Sequence, residues 1–148
     1  MDRKTRSAGA LAGAILLAGS ALVASAAEGD IEYRQSVYSS IGGHMSAMSA
    51  ILKQEVPHTM DLAVHAQGIA ELAPLTMHLF PEGSGEGRTK AKAAIWENPD
   101  DFDEKRQNFI DAAGALGDVA GADMETFVGA FRELGGTCKA CHDDYKAD

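Results

Sequence analysis

Apolar residues recur three and four positions apart along most of this chain, with almost no strand signal. That spacing lays side chains along one face of an α-helix, so the pattern predicts an all-α protein of four helices. The first runs from about Ile31 to Lys53, with Asp30 as N-cap and Pro57 marking its end. Ile31, Arg34, Tyr38, Ile41, Met45, Met48 and Leu52 form its seam, which carries a charge and a phenol among apolar residues. The second begins near Thr59 as N-cap and carries Leu62, His65, Ile69, Leu72 and Leu79, with Pro74 kinking it or ending its regular part. A Gly-rich segment, 81–87, reads as a flexible crossover, and a short turn follows at Ala93–Trp96. The third helix opens at Asn98-Pro99 and buries Phe102, Phe109, Leu116 and Val119. Asp123 caps the fourth, whose stripe is Met124, Phe127, Phe131, Leu134, Cys138, Cys141 or His142, and Tyr145.

The chemistry sits on that last stripe. Cys138-Lys139-Ala140-Cys141-His142 is a C-x-x-C-H box, the pattern of covalent haem attachment. Two thiols three residues apart on a helix share nearly one face, so both reach the vinyl groups of one porphyrin. His142 then offers its imidazole to the iron from the same side. These are the only two cysteines. A thioredoxin-type Cys-x-x-Cys would open a helix after an early strand, and this box lies near the end of a helical chain. A structural zinc site needs four ligands, and adjacent positions 141 and 142 fit one tetrahedron poorly. Gly135-Gly136, one turn earlier, weakens the helix. Either the missing side chains admit a porphyrin or they ease packing within the chain.

The N-terminus adds a compartment. Asp2-Arg3-Lys4-Thr5-Arg6 is a basic n-region, Ala8–Ala24 an apolar h-region, and Ala24-Ser25-Ala26 a small-residue cleavage site. The apolar run is short for a membrane span and broken by Gly9, Gly13, Gly19 and Ser20. Residues 1–26 therefore read as a cleaved signal peptide, with Ala27 the alternative cut. Adjacent arginines of the twin-arginine type are absent. Export with haem added outside the cytoplasm points to a bacterial periplasm. Residues 27–148 suffice for one domain. The charged leader residues Asp2, Arg3, Lys4 and Arg6 sum to +2, so the chain's −9 becomes −11 without them. So acidic a surface argues against nucleic acid and anionic lipid as partners. Solubility alone accounts for that charge, with a cationic redox partner the weaker reading.

Four helices with a C-x-x-C-H box near the C-terminus resemble the cytochrome c′ family. The likeness covers the mature chain and rests on Tyr33-Arg34-Gln35-Ser36, Lys53-Gln54-Glu55-Val56-Pro57, Ile95-Trp96 and Cys138–Asp143. Cytochrome c′ is a standard example of an antiparallel four-helix bundle, so that architecture is recognised rather than derived. The resemblance implies one haem c per chain, held by Cys138 and Cys141 as thioethers, with His142 as proximal iron ligand. It places Arg34 beside a haem propionate and Tyr38 over the distal face of the iron. Lys146 stands where the family often has an arginine on the proximal side; lysine keeps the charge but loses the planar fork. The resemblance also implies a homodimer joined through the first two helices, for which Val37, Ile51 and Val64 are candidate exposed contacts.

A five-coordinate iron binds nitric oxide or carbon monoxide with little help from an apolar pocket, whereas dioxygen leans on a distal donor. Gas binding is the expected role, with an electron-transfer function possible in the same fold. In the low-spin alternative a first-helix methionine is the sixth ligand. Met45 and Met48 lie about 10 and 15 Å beyond Tyr38 along the helix, and core filling suits them better. His44, His58, His65 and His78 show no ligand pairing by spacing. No acid–base pair for substrate turnover is evident, so an enzyme is not expected.

Overall fold

A computed structural model describes the backbone of residues 14–148 and the side chains from Ala27 onward. Residues 1–13 and the side chains of residues 14–26, where the signal peptide is expected, lie outside the described residues. Helix α1 spans Ala14–Leu52, α2 Leu62–Leu72, α3 Ala94–Glu97, α4 Pro99–Asp118 and α5 Met124–Tyr145. Helices α1, α2, α4 and α5 make the bundle. Among the described residues there is no strand, only an isolated bridge between Ala91 and Lys146.

Helix α1 corrects one expectation. Asp30 does not cap it; the helix runs unbroken through Ala26 and Ala27 to Leu52. The preceding segment is rich in alanine and leucine, strong helix formers that outweigh one capping residue. The far end stops by backbone geometry. Gln54 takes a left-handed φ of 62°, and Glu55 N–H reaches back to Ala50 O at 2.9 Å, two residues before Pro57 breaks the register. The buried face is also wider than the seam. Val37 and Ile51, proposed as exposed dimer contacts, are core residues with Ile31, Ile41 and Met48. They flank the seam closely enough that the neighbouring helices cover them. Only Val64 of that trio is exposed, at 67 %.

Thr59 does not cap α2 either. Thr59–Asp61 form a 3₁₀ turn, and α2 begins at Leu62 with no side-chain cap. Pro74 acts as expected: regular helix ends at Leu72 and Ala73–His78 continue as 3₁₀. Asn98 precedes α4 without capping it, and its side-chain amide donates back to Ala94 O at 3.2 Å instead. Asp123 does cap α5: Oδ1 accepts from Thr126 N–H at 3.0 Å and Oδ2 from the Thr126 hydroxyl at 2.8 Å. Met124, expected on the α5 stripe, is exposed. It sits in the first turn, outside the reach of the other helices.

The main core joins Val37, Ile41, Met48 and Ile51 of α1 with Leu62 and Ile69 of α2, Phe109 and Leu116 of α4, and Phe127 and Leu134 of α5. The backbone contacts are unequal. Helices α1 and α2, α2 and α4, and α4 and α5 pack closely, whereas α1 and α5 scarcely approach. The bundle is therefore loosest between the helix of Tyr38 and the helix of the C-x-x-C-H box.

Candidate functional site

Three links fix the end of α5. Lys146 N–H bonds to His142 O at 3.2 Å, Lys92 N–H donates to Tyr145 O at 3.0 Å, and Ala147 N–H donates to Lys90 O at 2.8 Å. The tail is thus stitched to the segment before α3. Tyr145 is buried, and its hydroxyl donates to the Asp101 carboxylate. Burial, with Asp101 adding to it, pushes that phenol up to about 12. The box just before it is held in a fixed register.

Cys138 and Cys141 are free and half-buried, and burial raises both thiols above their ordinary value. His142 lies at the surface. Its imidazole pKa is lowered, first by crowding and then by the Lys146 ammonium, with Asp143 opposing. Both effects favour the neutral ring that can ligate a metal. Lys146 is exposed and acts on this site by charge while its backbone ends the helix.

Tyr38 packs from α1 against the main core, on which Cys138 of α5 also packs. Its phenol is raised well beyond the ordinary range by burial first, then by the neighbouring Cys141, against the opposing charges of Arg106 and Arg34. Among the described residues its hydroxyl has no hydrogen-bond partner. Its ring opens a run of aromatics: Tyr38 to Phe80 at 6.2 Å between centroids, Phe80 to Phe102 at 4.9 Å, and Phe102 to Tyr145 at 4.9 Å. Trp96 meets Phe80 edge-on at 6.4 Å. Edge-to-face pairs of this kind add to the stabilisation from area burial. This wall joins α1, the crossover, α4 and α5 around the box.

Arg34 is buried, at 3 % exposure, and stands over the Phe80 ring at 4.6 Å. One terminal nitrogen donates to Leu79 O at 3.2 Å and Ser84 Oγ at 2.9 Å; the other donates to Ser84 O and Thr89 Oγ1, both at 2.9 Å. The resemblance placed this residue by a haem propionate, and the structure has those donors holding the crossover. Segment 81–87 is accordingly not a free linker. Ser84 is fully buried, Gly83 and Gly87 take φ of 85° and 99°, and the chain folds down onto the arginine.

Sequence reasoning passed over Arg106. It is 8 % exposed and stacks on Phe102 at 4.7 Å. It donates to Thr76 O at 3.0 Å and Met77 O at 2.9 Å and pairs with Asp103. The signal was present: Phe102, Arg106, Phe109, Ala113 and Leu116 form one buried stripe, with a charge upon it as Arg34 has on α1. Arg106 Nε and Trp96 Nε1 are both buried with no hydrogen-bond partner among the described residues. A buried donor left unpaired costs roughly 1–3 kcal/mol, so each calls for an acceptor that the described residues do not supply.

The space fits the same reading. A Cβ built at Gly135 or Gly136 meets no atom within 4 Å, so neither glycine eases packing inside the chain. The residues present suit a flat apolar group with anionic edges: two half-buried thiols, an aromatic wall, and unpaired N–H donors. Two shallow surface grooves, one lined by Met45 and Phe131 and one by His44 and Gly68, include no residue of the box.

The sequence profile described as Cytochrome C′ matches residues 29–146. The chain belongs to the cytochrome c′ family. It is 39 % identical over 121 residues to cytochrome c′ of Pararhodospirillum photometricum, covering 80 % of this chain and 97 % of that one. Among solved structures, cytochrome c prime from Shewanella frigidimarina superposes with a TM-score of 0.79 at 36 % identity, covering 82 % of this chain and 97 % of the other. A nitric oxide complex of a variant cytochrome c prime from Alcaligenes xylosoxidans gives 0.75 at 29 % identity, over 82 % and 96 %. Members carry covalently bound haem c, and Cys138 and Cys141 are this chain's only cysteines for the thioether links.

Proposed function

We propose that this protein is a periplasmic gas-binding haem protein whose iron is held by His142 alone on the protein side and takes nitric oxide or carbon monoxide on the other. One observation carries the reading: Tyr38 on α1 lies near enough to the box for Cys141 and Cys138 to act on its phenol, while Met48 is buried within the core. Haem c supplies an iron with one coordination position left open for a neutral diatomic ligand. The chain's own residues do the rest. Cys138 and Cys141 would tether the group to α5, and the stitched tail would hold His142 as its iron ligand. The wall of Tyr38, Phe80 and Phe102 excludes water. Trp96 and Arg106 would offer buried N–H donors to its carboxylates, and Arg34 holds the crossover in place.

The raised phenol pKa of Tyr38 keeps its hydroxyl protonated, which disfavours phenolate ligation and leaves the ring as a steric guard. Met48 is fully buried among core side chains, and Met45 packs against the same core, so the low-spin alternative would require one of them to leave it. We assign no substrate turnover to this site, because binding and release of a diatomic ligand require no acid–base pair. Residues 1–26 serve as the cleaved leader. Among the described residues no helix is long and apolar enough to cross a membrane. In the homodimer that the family suggests, exposed Val64 on α2 remains a candidate contact.

The visible spectrum of the exported, dithionite-reduced protein tests this, before and after carbon monoxide. A broad high-spin Soret band that sharpens and shifts with the gas is expected. Split α and β bands unmoved by carbon monoxide would replace this reading with a six-coordinate electron carrier. Met45→Ala and Met48→Ala should both leave the spectrum unchanged; a low-spin to high-spin conversion in either would establish methionine ligation.

A further inference from the structure

Two histidines that spacing did not pair meet between α1 and α2. His44 Nδ1 and His65 Nδ1 are 3.0 Å apart, with ring centroids 5.2 Å apart and planes tilted by 60°. Both side chains are half-buried, and the two helices bring them together across 21 residues of sequence. We propose that this pair is a binding site for a divalent transition metal, with Cu(II) the best match, independent of the haem.

The bite decides the class of ion. Imidazole nitrogens bind such metals at about 2.0–2.1 Å. Two nitrogens 3.0 Å apart then subtend an angle of roughly 90° at the metal. That is a cis pair in a tetragonal or octahedral sphere, the geometry of Cu(II) and Ni(II), and it falls short of the tetrahedral angle that zinc prefers. Imidazole is a suitable donor for all of these ions, and Cu(II) binds most strongly in the series.

The site is also built. Gly68 lies in the interior of α2, where glycine weakens a helix. A Cβ there would stand 2.7 Å from Cε1 and 2.7 Å from Nε2 of His44. The glycine thus lets the His44 ring approach α2 edge-on, with its Cε1–Nε2 edge toward the helix and Nδ1 toward His65. Alongside His44 runs an open groove of about 520 Å³ lined by His44, Val64, Gln67 and Glu71; the described residues bring no third His, Cys, Asp or Glu to the pair, so water would fill the remaining coordination positions. Gln67 is already engaged, donating to Gly117 O at 2.9 Å, so it is not a ligand. The pair can instead share one proton in an N–H···N bond, and the experiment separates the two.

Cu(II) is titrated into the haem-loaded, oxidised protein by calorimetry, and the product is read by electron paramagnetic resonance. One ion per chain is expected, with hyperfine structure from two nitrogens. Loss of outer-shell partners alone weakens metal sites 10–100-fold, so His44→Gln and His65→Gln should each cost at least about 100-fold in affinity. Gly68→Ala, which keeps both ligands and favours the helix, should weaken binding by moving the His44 ring. His58→Gln should change nothing. The haem spectrum of every variant reports that the bundle is intact. Absence of the two-nitrogen signal, or equal affinity in the parent and both His variants, would overturn the proposal and leave a hydrogen-bonded pair.

Discussion

Two buried arginines face the haem end of this bundle, and they are held in different ways. Each stacks on a phenylalanine, Arg34 on Phe80 and Arg106 on Phe102. Arg34 spends its terminal N–H groups on neutral oxygens of the crossover and has no acid partner among the described residues. Arg106 takes two carbonyls and the half-exposed Asp103, and leaves Nε unpaired. The difference separates two tasks. A guanidinium whose terminal donors all end on one loop is a clamp for that loop. One with a spare buried donor beside Cys141 still has an acceptor to find.

The largest effect should come from the clamp. Arg34→Ala leaves buried oxygens of the crossover without donors and should cost roughly 3–4 kcal/mol, read as a lowered urea midpoint of the haem-loaded protein. Arg34→Lys should recover little, because an ammonium cannot reproduce the fork. If Arg34→Lys were nearly neutral, the clamp reading would fail. Arg106→Met keeps the stem over Phe102 and frees the carbonyls of Thr76 and Met77; its cost should be smaller, roughly 1–3 kcal/mol. It should also shift the haem potential, whereas Arg34→Ala should act chiefly on stability; identical shifts in both variants would erase the distinction.

The charges of both arginines act on Tyr38. Tyr38→Ala should speed carbon monoxide binding at least about tenfold, equivalent to roughly 1.4 kcal/mol of steric barrier. An unchanged rate in stopped flow would show that the ring does not guard the iron.

The smallest effect lies farthest from the site. Two hydrogen bonds from Thr126 hold the Asp123 carboxyl below its ordinary range. A depressed carboxyl pKa stabilises the fold above the unfolded-state value of about 4 and loses that contribution as pH falls through the folded value. Asp123→Ala should therefore destabilise the protein near neutrality and converge with the parent in acid, followed by thermal melts from pH 7 to 3. A gap that persisted in strong acid would point to a cause other than the charged cap.

Much of this was legible before any coordinates. The four helices, the break at Pro74, the α5 cap at Asp123 and the haem box are local patterns, set by period, cap chemistry and spacing. The misses have a common origin. Asp30 and Thr59 are good capping residues whose neighbours favoured other local structure. Val37 and Ile51 lie beside the ideal seam, and only the packed helices decide how wide the buried face is. Arg106 broke its stripe as visibly as Arg34 did, yet a charge on an apolar face does not say what it will touch.

What the sequence determined by itself is the covalent chemistry: two thiols and an imidazole in one helical turn need no partner to define them. What the tertiary structure decided is every relation across the bundle. It turned the glycine-rich crossover into a segment pinned by Arg34, brought Tyr38 up to the cysteines, left two N–H donors buried without acceptors, and set His44 against His65. The physical reason is distance along the chain. Helix periods and caps act within a few residues, whereas a side chain 45 to 55 positions from its partner meets it only once the helices have packed.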